Sequence, residues 1–269
     1  MGAERTPGAA GAQAADAGRG GSGLAGPDRP EPVAGPTFRP DPAGQLTPSG
    51  DRARAAANLA AIRLSQQLTE QNRPATLAEQ QVLAAWSSWG AIPQIFDESR
   101  DDWAAERAEL RSLLSDTEWA AASRTTINAH YTDPAIVSAM WTAVGRLGLA
   151  EGQVLEPGAG SGTFIGLAPE GLRMTGVELD PTTARIAQAL YPAAEIRSES
   201  FADTRYPTGS FDAAIGNVPF GNVTLYDKLH NANGHSLHNH FILKSLDFVR
   251  PGGVVAVLTS SFTMDSTNP

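Results

Sequence analysis

Asn217-Val218-Pro219-Phe220 follows an apolar run, Phe211-Asp212-Ala213-Ala214-Ile215-Gly216, and brings two hydrogen-bond acceptors, a rigid turn and an aromatic face together. An amide side chain followed by a main-chain carbonyl can accept both hydrogens of one amino group. Pro219 fixes φ and stiffens the turn, and Phe220 offers a surface to a planar ring. The chemistry implied is the positioning of an amine, which needs neither a metal nor a covalent intermediate. The plain alternative is an Asn-x-Pro turn that closes a strand.

Earlier in the chain, Glu156-Pro157-Gly158-Ala159-Gly160-Ser161-Gly162-Thr163-Phe164 places glycines at alternate positions. Such a turn can take positive φ and leave room for a ligand against the main chain. The spacing is G-x-G-x-G rather than the G-x-G-x-x-G of dinucleotide sites. An acid at Glu156 repels a pyrophosphate and suits a cation, such as the ammonium and sulfonium of S-adenosylmethionine. Glu178, about 20 residues on, ends the next strand, where a carboxylate can accept the hydroxyls of a ribose. A Gly-rich strand–helix turn and a solvated strand-end acid are the bland readings of these two features.

The elements that must position these residues alternate. Strands are expected at 154–156, 172–177, 195–197, 211–215 and 253–259. Helices are expected at 160–167, 181–191 and 239–249. Units of this length imply an α/β fold with a parallel, doubly wound, Rossmann-like sheet that binds ligands at the carboxyl ends of its strands. Upstream the apolar spacing predicts helices over 50–71, 76–86 (with a Thr76/Glu79 capping box), 101–114, 116–124 and 134–147. Residues 1–49 are mostly Gly, Ala and Pro, too poor in apolar surface to offset ordering entropy, and are expected to be disordered. The expected divisions are a tail at 1–49, a helical region at 50–127 and a core at 128–269.

In this order of elements, Asn217–Phe220 resembles the Asn/Asp-Pro-Pro-Tyr/Phe motif of amino-methyltransferases, with Val218 standing for the first Pro. Asn128-Ala129-His130-Tyr131-Thr132-Asp133-Pro134 resembles the Tyr/Phe-Thr-Pro segment that precedes the glycine loop in many adenine-N6 DNA methyltransferases, and the motif order is that of their gamma group. The resemblance implies an S-adenosylmethionine-dependent fold in which Tyr131, Thr132 and the 156–162 turn hold the cofactor. It implies Asn217 and Val218 as acceptors for the adenine amino group, and Phe220 as a platform for a flipped-out base. Asp203, beside the place where the family often has an acid, is expected near the cofactor adenine. By itself, Asp133-Pro134 is equally well a helix start.

From about Asn72 onward, Ala75-Thr76-Leu77-Ala78-Glu79-Gln80, Trp89-Gly90-Ala91, Ile95-Phe96-Asp97 and Gly216-Asn217-Val218-Pro219-Phe220-Gly221 resemble large phage and plasmid proteins that join a DNA methyltransferase to an SNF2-like helicase. The resemblance implies mobile-element DNA modification or antirestriction. DNA would be the partner, gripped by regions outside this chain, with a methylase or helicase segment downstream. The family's seven-stranded sheet ends in a hairpin that the sequence after the fifth strand does not supply, so an incomplete core is expected.

Composition narrows the field further. The absence of cysteine excludes disulfides and thiol catalysis and accords with a reducing, cytoplasmic setting. No window approaches the roughly 20 apolar residues that span a bilayer. A net charge of −9 offers no basic patch for tight DNA binding by this chain alone. His230, His235, His238 and His240 cluster without a zinc spacing, and a loop at the rim of the site is the expected role. The competing functions are a non-catalytic cofactor-binding module and a protein glutamine-amide methyltransferase.

Overall fold

The computed structural model describes residues 35–261 and 263, apart from 42, 45, 129–131 and 222. At its centre is a sheet of five parallel strands. They are β1 (Gly152–Pro157), β2 (Leu172–Glu178), β3 (Glu195–Ser198), β4 (Phe211–Asn217) and β5 (Val249–Leu258), in the spatial order β3-β2-β1-β4-β5. Parallel strands covered on both faces need apolar residues at successive positions, and Val154-Leu155 and Ala213-Ala214-Ile215 supply them. The chain order reverses between β1 and β4. Their carboxyl ends diverge there into a crevice, the place where open α/β sheets bind ligands.

Successive strand residues face opposite sides of the sheet, and two apolar clusters result. Val154, Met174, Ala213 and Ile215 pack on one side with the helices α1 (Asp51–Glu70), α2 (Leu77–Ala84), α5 (Pro134–Arg146) and α7 (Pro181–Leu190). Leu155, Val177 and Ala214 pack on the other side with Phe201 and with Phe241 and Phe248 of α8 (Leu237–Phe248). The helices α3 (Ala104–Leu113) and α4 (Asp116–Asn128) extend the first cluster through Leu110 and Ala122. Polar contacts tie these upstream helices to the sheet layer. The Trp86 indole donates to Thr183 Oγ1 at 3.2 Å, Trp141 to the Phe164 carbonyl at 3.0 Å, and Arg185 pairs with Glu118 at 3.0 Å.

All five expected strands are present, each with bounds shifted by a few residues. The strand expected at 253–259 already begins at Val249, because the Arg250-Pro251-Gly252 detour forms an irregularity within the strand rather than a loop before it. The helix expected over 160–167 is the single turn α6 (Thr163–Gly166). Residues before it are held in the glycine turn, and Pro169 has no N–H to continue it. The capping box at Thr76 is formed as expected. Residues 35–40 were expected within the disordered tail, yet Phe38 is buried, with its N–H on the Leu190 carbonyl at 2.9 Å. Arg39 donates to the Ala168 carbonyl at 2.8 Å. One aromatic side chain with a cavity to fill suffices to order a few residues whose average composition is poor. Residues 1–34 lie outside the described residues.

Candidate active site

β1 runs into a turn in which Gly158, Gly160 and Gly162 take φ of 71°, 55° and 85°. The Ala159 N–H donates back to the Val177 carbonyl at 2.8 Å, which pins the turn to β2. Glu178, at the end of β2, braces it from the side. Gly160 N–H donates to its Oε2 and Asp180 N–H to its Oε1, each at 2.8 Å. A carboxylate oxygen can accept more than one hydrogen bond, so these amides do not exhaust it. Burial pushes the Glu178 pKa up to about 7.

Glu156 lies beneath the same turn and is 2% exposed. Its Oε2 finds no hydrogen-bond partner among the described residues. Burial holds its pKa well above the usual carboxylate range, and the charge of Glu178 adds to the effect. A buried carboxyl oxygen without a donor is costly unless something satisfies it. Among the described residues, the cavity wall carries Glu156, Glu178, Asp180 and Glu199 and one basic side chain, Arg124 of α4. A ligand with donors would satisfy these buried oxygens.

Asn217 closes β4 on the other flank of the crevice. β1 and β4 pair directly, with Val154 opposite Ala213 and Leu155 opposite Ala214, so their ends are neighbours. A Cβ built on Gly158 would lie 3.5 Å from Pro219 Cδ and 3.9 Å from the Asn217 carbonyl oxygen. The Val218 N–H donates to the Leu258 carbonyl at 3.0 Å, which carries the strand pairing one residue past β4. Val218 is fully buried, whereas Phe220 is 36% exposed at the mouth. Asn217, Val218, Pro219 and Phe220 therefore share one cavity of about 380 Å³ with the glycine turn and the two glutamates. Its size falls in the range of small-molecule sites.

Of the residues expected to hold a cofactor, Thr132, Glu156, Gly158, Ala159, Gly160 and Glu178 line this cavity. Tyr131 lies outside the described residues. Pro157 is the last residue of β1 and stands behind the wall. Gly162 has a packing role instead: a Cβ there would lie 2.6 Å from Tyr191 Cε2. The structure does not bring Asp203 to the cavity. Its N–H and that of Thr204 both return to the Ser200 carbonyl, and this tight turn leaves the Asp203 side chain exposed. Glu199 and Phe201, just before it, line the wall in its place.

Several wall residues were not singled out from the sequence. Asp180 caps α7 through Thr183 N and Oγ1, at 3.0 and 2.6 Å, and the Asp-Pro-Thr-Thr pattern reads as a helix start. Leu225, Leu237 and Phe241 come from segments distant in sequence, and only packing reveals them. The four clustered histidines are not gathered on one point. His230 and His240 contact Asp227, and His238 contacts Ser236. Among the described residues, no group of three or more potential ligands is placed to hold a metal ion.

No protein-family model matches the chain. Over 172 residues it is 30% identical to the "Defense against restriction protein B" of Escherichia phage P1, which covers 62% of this chain and 8% of that protein. The chain thus spans a small part of that relative's length. Among solved structures, a Listeria monocytogenes protein assigned to the class I S-adenosylmethionine-dependent methyltransferases aligns at 12% identity and a TM-score of 0.44, over 79% of this chain and 76% of that one. A Pyrococcus horikoshii protein assigned as an RNA methyltransferase aligns at 18% identity and a TM-score of 0.37, over 50% and 63%.

Proposed function

We propose that this chain binds S-adenosyl-L-methionine and transfers its methyl group to the N6 amino group of adenine in DNA. One observation carries the reading: Asn217-Val218-Pro219-Phe220 and the glycine turn flanked by Glu156 and Glu178 line the same cavity. The match to an antirestriction protein of a phage, through a segment spanning 8% of it, is compatible with a role in modifying mobile-element DNA.

S-adenosyl-L-methionine, when bound, supplies an electrophilic methyl group on a sulfonium. The residues present fit this group. Glu156 Oε2, without a partner among the described residues, can accept a hydrogen bond from an ammonium. Glu178 keeps lone pairs for two ribose hydroxyls, and the glycine turn lets the main chain come close.

The chain's remaining task concerns the amine. An exocyclic amino group on a purine is a poor nucleophile, because its lone pair is delocalised into the ring. The Asn217 side-chain oxygen and the Val218 carbonyl each accept one of its hydrogens. These two acceptors draw the nitrogen toward sp³ geometry and aim its lone pair into the cavity. Pro219 holds the two acceptors in register. Phe220, half exposed at the mouth, stacks on the base, a contact worth roughly 1–3 kcal/mol. A base must leave its helix to reach such a cavity.

The test uses labelled S-adenosylmethionine and adenine-containing DNA. Asn217→Ala is expected to bind cofactor normally and to lose methyl transfer, by about a hundredfold or more. Turnover at the unmodified rate in that variant defeats the catalytic assignment. Gly160→Asp and Glu178→Ala are each expected to abolish cofactor binding, and unchanged binding in both rejects the site.

A further inference from the structure

Lys244 has no exposed surface, and nothing in the proposed transfer uses it. Its Nζ donates to Asp227 Oδ2 at 2.7 Å and to the Ala202 carbonyl at 3.1 Å. It also lies 5.2 Å from the centre of the Phe201 ring. Both acceptors adjoin the cavity wall. Ala202 follows Phe201, and Asp227 comes two residues after Leu225; both Phe201 and Leu225 line the cavity. Phe241, one turn before Lys244 on α8, lines it as well. One buried amine therefore ties together three segments that shape a single space.

Asp227 is built to receive it. Its Oδ2 also takes His240 Nε2 at 3.1 Å, and its Oδ1 takes the Leu229 N–H at 3.1 Å. Asn231 closes the same loop on itself. It donates to the Leu225 carbonyl at 2.8 Å and accepts the His235 N–H at 2.7 Å. The loop is thus internally stapled and attached to α8 at two points: Asp227, which meets His240 and Lys244, and His230, whose Nε2 lies 3.0 Å from Asp247 Oδ2. A buried ion pair by itself is weak evidence for stability, since apolar residues of similar volume fill such space without desolvating two charges. Its position between two wall segments is what sets this one apart.

We infer that Lys244 is a positioning residue: by fastening the loop after Gly221 and the turn after β3 to one helix, it sets the gap between Leu225 and Phe201 into which the base must fit. The inference rests on the proposed transfer to adenine. Lys244 itself touches neither cofactor nor substrate in this scheme.

The test is Lys244→Met in the full chain, read by cofactor affinity, by the DNA KM and kcat for methyl transfer, and by amide hydrogen exchange. The expected result is a KM raised about tenfold or more with the cofactor Kd within about threefold of the unmodified chain. Amides of 223–236 are expected to exchange about tenfold faster or more, while those of β1 and β4 keep their rates. An unchanged KM and unchanged exchange overturn the inference. So does an equal loss of cofactor and DNA binding, which marks a general loss of structure. If the unmodified chain binds cofactor and transfers nothing, the proposed activity fails, and the exchange measurement alone decides about Lys244. If Lys244→Met does not fold, Asp227→Asn, which keeps the shape and an acceptor oxygen, is read by the same criteria.

Discussion

Glu178 holds its two oxygens on the amides of Gly160 and Asp180, and burial pushes its pKa up to about 7. Two consequences with opposite signs follow. In the ligand-free chain the folded state binds a proton that the unfolded state has already released. Stability therefore falls as pH rises from the ordinary carboxylate value to about 7, and the loss is complete above it. A ligand that needs the carboxylate form is bound with release of that proton. Cofactor affinity is accordingly expected to rise between about pH 6 and about pH 8, by at most about tenfold per pH unit for one proton. Isothermal titration across that range checks it, with Glu178→Gln expected to give a flatter profile. Tighter binding at the acid end runs against the proposed role. Both acids were legible in the sequence, because each sits at the end of an apolar run. The missing donor at Glu156 Oε2 was not, since it depends on what packs around the carboxyl. Asp203 shows the reverse error: proximity in sequence to the wall residue Phe201 carried no information about which way the turn would aim it.

At the scale of elements, the glycine turn separates two jobs that look alike in sequence. Gly158 faces the cavity, with Pro219 and Phe241 at ordinary contact distance from a Cβ placed there. Gly162 starts α6 with φ of 85°, and a Cβ there would overlap the Tyr191 ring at 2.6 Å. Gly162→Ala is therefore expected to destabilise the fold by about 2 kcal/mol, through strain and overpacking. Denaturant unfolding checks this, with the midpoint lowered by the same amount whether or not cofactor is present. A cost that appears only in cofactor affinity assigns Gly162 to the binding surface instead. The strand and helix pattern was readable because buried strands need successive apolar residues and helices need their period. The start of β5 was not, because the irregularity at 250–253 depends on pairing with β4, far along the chain.

For the whole molecule, the upstream helices and one face of the sheet bury a single apolar cluster, from Leu59 and Trp86 through Val154 to Ile215. All five tryptophans precede β1, so their fluorescence reports on that helical layer. Amide exchange in β1 and β4 reports on the sheet. Urea midpoints from the two probes are expected to coincide, because opening one layer exposes the other's core. Midpoints separated by about 1 M or more reject the shared core. Among the described residues, no helix is long and apolar enough to cross a membrane. The sequence by itself determined the alternation of elements, the α/β class and the glycine turn, because each is a local pattern of residue types with one favourable backbone arrangement. Only the tertiary structure decided that Asn217 and the glycine turn share a wall, that Glu199 and Phe201 stand where Asp203 was expected, and that Lys244 joins two sides of the cavity. Those facts arise from strand order and from contacts between residues far apart along the chain, which no local pattern encodes.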